Sequence, residues 1–247
     1  LNVLSNTIIK RLPFIKQVHI PPFTSDVGLH FGAAASVLFS NKQELVLPDN
    51  HSLLGKQYSN EDIRTQLVAS GLSFEEMDFD NLCSVVSKHI NDNKIVAWFQ
   101  GRSEFGPRAL GHRSLLADPR GPEIKDTVND IKRRQQFRPF APAILEEYVH
   151  EYFHMPINWD SSPFMQVIAT CKRPDLFPAI VHADGTSRVQ TVPKNNTGVR
   201  ELLEKWYVMT DCPMLLNTSL NIKGEPMVND RKDADRFERL YGVKVCS

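Results

Sequence analysis

The chain has 247 residues, enough for one large domain or two smaller ones, and its 41% hydrophobic content supports a sizeable core. Its 29 basic and 29 acidic side chains cancel, which argues against a global attraction to nucleic acid or to a membrane surface. Four scattered cysteines without a CxxC pair (Cys83, Cys171, Cys212 and Cys246) argue against a zinc site or a disulfide framework and fit a reducing cytoplasm; no apolar run approaches the ~20 residues of a membrane helix.

The chain opens on LNVLSNTIIKRL, with Leu1 in place of an initiator Met and no signal peptide, and reads as part of a longer protein. A short strand is expected at residues 17–20, followed by a Pro/Ser/Asp/Gly loop and a helix rich in small residues entered near Gly28. Residues 41–60 read as a polar linker. Helical spacing covers 61–71 and 80–92, with Leu82, Val85, Val86 and Ile90 on one face. KIVAWF (94–99) is an apolar run of buried-strand type and leads directly into GRSEFGPRALGHRS (101–114). Residues 121–134 enter a helix through Gly-Pro, with Ile124, Val128 and Ile131 at helical spacing. FRPFAPAIL (137–145) reads as extended.

Further strands are expected at 164–170, 179–183, 188–192, 213–218 and 243–245, with Asp184-Gly185 turning between the second and third of these. One helix carries Val199, Leu202, Leu203 and Trp206 on a face, with Thr197 as candidate N-cap. Another carries Ala234, Phe237, Leu240 and Tyr241, capped by Asn229 or Asp230 and stopped by Gly242. The class is α/β, with α+β the alternative, and there are no internal repeats.

Charge balances globally but not locally. Residues 41–93 hold four basic and nine acidic side chains, whereas 94–139 hold ten basic and five acidic. The basic block contains Arg102, Arg108 and Arg113 on a Gly/Pro-shaped loop, a setting suited to phosphate or carboxylate. Glu104 is read there as a carboxylate that pairs with one of these arginines. Lys132 and Arg134 follow at the end of a helix, where the dipole also favours cations. Arg138 interrupts an apolar extended run and needs a partner if it points inward. Arg188 opens a strand. Asn217, Ser219 and Asn221 end another, with amides and hydroxyls fit for phosphate or ribose oxygens. Asp26 precedes a helix, either as a cap or as a metal- or phosphate-side carboxylate. A positive concavity in a neutral protein fits a small anion better than a polyanion.

GRSEFGPRALGHRSLLADPR, FRPFAPAIL, HADGTSRVQTV and LLNTSLNIKGEP, in this order, resemble the C-terminal half of the nodulation-type O-carbamoyltransferases. The resemblance is dense over about 94–230. It implies a YrdC-like domain over 94–247, a twisted mixed sheet with flanking helices, joined through a helical linker (46–93) to a remnant (1–45) of an actin/Hsp70-like transferase domain. It implies that the domain binds carbamoyl phosphate and ATP and forms a carbamoyl-adenylate for transfer to a hydroxyl acceptor. Arg102, Arg108 and Arg113 would be anion ligands; Lys132 and Arg134 match a K-x-R element; Arg138 and Arg188 fill further basic positions; Ser219 and Asn221 match an S-x-N nucleotide element. Lys132, Arg138 and Arg108 would act in catalysis. Asp26 matches an aspartate ligand of a divalent metal, Mg or Fe, whose histidine ligands would lie upstream of Leu1. Gln135 stands where the family pattern has Glu, and Ser25 where Gly is usual. The implied partners are small-molecule substrates and the missing N-terminal domain. Two alternatives are a free-standing threonylcarbamoyl-adenylate synthase of YrdC type and a basic-faced RNA-binding module. The GPRALGHRS motif weighs against the first, and zero net charge without interleaved aromatic and basic residues against the second.

Overall fold

The computed structural model describes residues 2–47, 51–196 and 198–247. Two short sequences that alternate between two cores set the architecture. In β1 (Val96–Phe99), Val96 and Trp98 enter one apolar cluster while Ala97 and Phe99 enter another. In β2 (Arg113–Ala117), Leu116 lies in the first cluster and Leu115 in the second. A strand buried on both faces needs apolar residues at every position, so KIVAWF reads as a continuous run. The two strands belong to a three-layer arrangement, a sheet between two helical layers.

The remaining central strands are β3 (Ala141–Leu145), β7 (Gln190–Val192), β8 (Met214–Ser219) and β9 (Val245–Cys246). The sheet order is β7-β3-β8-β2-β1-β9, mixed, with parallel pairs at both edges and antiparallel pairs inside. A second, antiparallel sheet joins β4 (Phe153–His154), β5 (Ile168–Cys171) and β6 (Thr186–Arg188). A short helix, α6 (Val149–Tyr152), leads into β4.

On one face lie α4 (Phe79–Asn91), α5 (Pro122–Ile131) and α7 (Val199–Thr210). Cys83, Val86 and Ile90 of α4 meet Leu203 and Trp206 of α7 in the cluster that holds Trp98. On the other face, α8 (Arg231–Tyr241) lays Ala234 and Phe237 on Ala97 and Leu115, and α3 (Asn60–Ser70) packs beside it. Local sequence starts and stops these helices. Ser59 and Asp62 form a reciprocal capping box, and Asp78 and Asp230 each cap a helix through a side-chain oxygen. Gly71 and Gly242 end helices in the left-handed conformation. In the span expected as a helical linker (46–93), α3 and α4 pack against α8 and α7 of this body.

Several expected elements differ. Residues 17–20 form no strand; Ile20 instead accepts at its carbonyl from the Gln166 side-chain amide. Residues 179–183 form no strand. Ala179 and Ile180 are apolar because they are buried in a turn, and burial alone made the run look extended. Asp184-Gly185 thus turns into β6 without closing a hairpin with 179–183. The single strand expected at 188–192 is two, because the chain changes sheets at the buried Val189. Only the end of 164–170 is strand, and Val85 and Leu240 are exposed at 38% and 54%, at the borders of their helix faces. Thr197, the candidate cap of α7, lies outside the described residues.

The N-terminal segment contributes α1 (Val3–Lys10) and α2 (Leu29–Ser40), neither with a buried side chain. It is held by Asn6, which donates to the Gln166 carbonyl at 2.9 Å, and by Phe23. The Phe23 ring lies 4.6 Å from Phe31 and 5.9 Å from Phe105. No helix among the described residues is long and apolar enough to cross a membrane. All four cysteines are buried free thiols.

Candidate functional site

Strand direction gathers the basic motifs at one end of the central sheet. Phe99 ends β1 opposite Arg113, which begins β2. Ser219 ends β8 opposite Ser114, and Ala141 begins β3 opposite Asn217. Gln190 begins β7 beside Ala143. The loop 100–112, the segment 132–140, Arg188 and residues 219–221 therefore all emerge at the same edge.

At this edge Arg108, Arg134, Arg138 and Arg188 form one field. Burial, followed by the charges of Arg108, Arg134 and Arg138, pushes the Arg188 guanidinium down to about 10. Burial and Arg138 push Arg134 down to about 10, and burial lowers Arg108. No carboxylate among the described residues is within ion-pair distance of any of the four. The Arg188 Nε is buried with no hydrogen-bond acceptor among them. Like charges crowded without counter-charge are costly unless an anion joins them.

The helix α5 ends before this field. Lys132 is its C-cap, and Arg133 turns into the left-handed region at φ 47°. Asn129, fully buried, holds the turn: its amide donates to the carbonyls of Gln136 and Arg138, and its Oδ1 accepts from Arg134 Nε at 2.6 Å. Arg134 also lies 4.1 Å above the Phe140 ring. Sequence reasoning missed Asn129; its one signal is an amide beside Val128 on an otherwise apolar helix face.

Lys132 runs the other way. Its Nζ donates to the Ser219 carbonyl at 2.6 Å, to Ser219 Oγ at 3.1 Å, to the Asn221 carbonyl at 3.3 Å and to Asn221 Oδ1. Burial, then the charge of Arg134, pushes its ammonium down to about 7. The K-x-R and S-x-N elements, 87 residues apart for Lys132 and Ser219, are thus in direct contact.

Three of the expected ligands sit elsewhere. Arg102 is exposed and donates to the Gly55 carbonyl at 3.2 Å. Arg113 is fully buried: its guanidinium donates to the carbonyls of Gln100, Gly101 and His112 and lies 3.7 Å above the Phe99 ring. Asn217 is buried, with its amide spent on the Ala109 carbonyl and on Gln190. Glu104 takes backbone N–H groups, and none of its oxygens forms an ion pair with an arginine side chain among the described residues.

Asp26 is exposed in a short 3-10 turn, Asp26–Gly28, and its side chain caps neither this turn nor α2 among the described residues. Among the described residues no three His, Cys, Asp or Glu side chains are grouped to hold a metal ion, so this donor set does not fit a metal centre.

The loop's glycines are spatial requirements. A Cβ at Gly106 would stand 2.5 Å from the Pro22 carbonyl oxygen, where the N-terminal segment crosses the loop. At Gly111, with φ 102°, a Cβ would stand 2.5 Å from Val199 Cγ1. Gly111→Ala is expected to lower stability by about 2–4 kcal/mol, from backbone strain plus overpacking. Urea denaturation checks it, and an unchanged midpoint would show that α7 yields freely to the loop.

A family model described as the carbamoyltransferase C-terminus matches residues 87–245. The chain is 37% identical to the nodulation protein NolNO of Sinorhizobium fredii, covering 94% of this chain and 35% of that protein. It is 35% identical to nodulation protein U of the same species, covering 98% of this chain and 42% of that one. It thus spans less than half the length of these curated relatives. Among solved structures it is similar to full-length HypF in the phosphate- and nucleotide-bound form, at 22% identity and TM-score 0.47, over 67% of this chain and 20% of that one. With the match running from α4 to β9, the chain belongs to the carbamoyltransferase C-terminus family.

Proposed function

We propose that the whole protein is an O-carbamoyltransferase and that this chain carries its carbamoyl-adenylate-forming part. The reading assigns residues 94–247, with α3 and α4 packed on them, to adenylation. It assigns residues 1–45 to the end of a transferase domain. The observation that carries it is the field of Arg108, Arg134, Arg138 and Arg188, without counter-charge among the described residues and adjoining the Lys132–Ser219–Asn221 contact.

The chemistry asks for such a field. In this reading water releases inorganic phosphate and carbamate from carbamoyl phosphate. A carbamate oxygen attacks the α-phosphorus of ATP, an O–P bond forms, and the bond to pyrophosphate breaks, pyrophosphate leaving with the electron pair. The acceptor hydroxyl then attacks the carbamoyl carbon, AMP leaves, and the hydroxyl proton passes to solvent. Two polyanions repel each other, so aligned cations supply most of the catalysis through position and charge, without a protein nucleophile. Arg108, Arg138 and Arg188 would hold the phosphate and carbamate oxygens. Lys132, with Ser219 and Asn221, would face the nucleotide phosphates. Arg102 would act at the exposed rim. Arg113 and Asn217, engaged by backbone carbonyls, would support the loop instead of touching substrate. No step is assigned to a metal.

The test pairs this chain with the full-length protein. The chain is expected to release pyrophosphate slowly from ATP in the presence of carbamoyl phosphate and to leave a hydroxyl acceptor unmodified; the full-length protein is expected to do both steps. Acceptor carbamoylation by the chain alone would overturn the division of labour, and no pyrophosphate release from either protein would overturn the adenylation.

A further inference from the structure

Arg108 has an unusual setting. Its guanidinium has no hydrogen-bond or ion-pair partner among the described residues, yet the peptide groups that follow it are held on every side. Glu104, buried, accepts from the N–H groups of Leu110 at 2.6 Å, His112 at 2.9 Å and Arg113 at 3.1 Å. Ser114 Oγ accepts from Gly111 N–H at 3.1 Å. From 80 residues further along the chain, Gln190, 1% exposed, donates its amide to the Leu110 carbonyl at 2.9 Å. Asn217 donates to the Ala109 carbonyl at 3.2 Å and to Gln190 Oε1 at 2.7 Å. Each residue from Ala109 to Arg113 therefore has a backbone group bonded to a buried side chain.

We propose that Gln190, with Glu104, is a positioning residue that acts on the ligand through Arg108. The inference rests on the anion-binding reading above and extends it to residues that touch no ligand. An unpartnered arginine is aimed only by its backbone. A loop fixed from both strand β7 and its own Glu104 holds the main chain that follows Arg108 in one place before any anion arrives. The backbone share of the ordering entropy is then spent in folding, and only the side-chain torsions remain to be ordered in binding. Gln190 suits this task because it is buried, lies on a strand of the central sheet and spans two partners with one amide. Glu104 suits it because a buried carboxylate that accepts several N–H groups forms strong, charge-assisted bonds. A further device lies in sequence order: β7 follows β6, so Gln190 and Arg188 are two residues apart and the same strand crossing that places Arg188 also holds the loop bearing Arg108.

The experiment is a double-mutant cycle read by calorimetric titration with carbamoyl phosphate and, separately, ATP. Four forms of the chain are compared: unmodified, Gln190→Met, Arg108→Ala and both together. Gln190→Met is expected to weaken binding about tenfold in the unmodified background and by less than about twofold once Arg108 is gone, because a positioning residue has nothing left to position. If Arg108→Ala weakens binding and Gln190→Met does not, or if the two effects multiply, the positioning role is wrong while the anion site stands. If Arg108→Ala leaves affinity unchanged, the anion-site reading itself falls. Thermal unfolding by circular dichroism accompanies each titration; should Gln190→Met not fold, Asn217→Ser removes the neighbouring clasp and replaces it in the same cycle.

Discussion

Arg188→Met is expected to leave the empty protein as stable as before or more so, while weakening the binding of carbamoyl phosphate and ATP about 100-fold. The two effects have one origin. Burial and the charges of Arg108, Arg134 and Arg138 hold the Arg188 guanidinium down at about 10. A base whose folded value lies below its unfolded one is protonated at a cost: the penalty is present in full below about pH 10 and is relieved as pH rises toward the unfolded value. At neutral pH the empty site therefore carries a destabilising charge, and an apolar side chain of similar length removes it without leaving a hole. A bound anion reverses the balance, and losing two charged hydrogen bonds at ~1.5–3 kcal/mol each costs at least about 3 kcal/mol of affinity. Melting curves with and without ligand read both halves, since an anion that binds the native state raises the midpoint. A variant that melts earlier yet binds normally would show that Arg188 serves packing.

The elements most legible in the sequence were those with both an apolar period and a chemical stop. The helix α8 shows this: Asp230 caps it, Gly242 ends it, and Ala234 and Phe237 are buried between them. The apolar run of β1 was legible for another reason: a strand buried on both faces is apolar at every position. The run at 179–183 was not, because burial in a turn and burial in a strand select the same residues. The break at Val189 was hidden because no glycine or proline marks the place where the chain leaves one sheet for the other. At the site, residue type was legible and direction was not. Arg108 and Arg113 look equivalent in GPRALGHRS, yet Arg113 begins β2 and must turn inward, where carbonyls and Phe99 take it up. Asn217 looked like a ligand because an apolar strand turns polar there, but its facing neighbour is the loop backbone. Gln190 gave no signal at all: a glutamine in a strand becomes meaningful only once β7 lies beside β3 and the loop beside both.

Lys132 is expected to give the site a pH signature near neutrality. Two influences oppose each other at its Nζ. Burial and the charge of Arg134 disfavour the ammonium and push it down to about 7. The carbonyls of Ser219 and Asn221 and the Asn221 amide oxygen are acceptors only, so they hold whichever protons the amine carries. With the folded value below the unfolded one, the unfolded chain binds the proton more readily between about 7 and 10.5. Stability is therefore expected to rise with pH across that window, by up to about 1.4 kcal/mol per pH unit, and to be flat on this account below it. Lys132→Met removes that slope, whatever it does to absolute stability through the acceptors it leaves unpaired. An incoming phosphate acts in the opposite sense, drawing the lysine back to its charged form. Binding of carbamoyl phosphate or ATP at pH 8 is thus expected to take up as much as about one proton, and Lys132→Met is expected to take up none. Titration in two buffers of different ionisation enthalpy measures the uptake directly. Equal heats in both buffers, with a stability profile that Lys132→Met leaves unaltered, would show that the acceptors around Nζ outweigh burial and that Lys132 is already charged before any anion arrives.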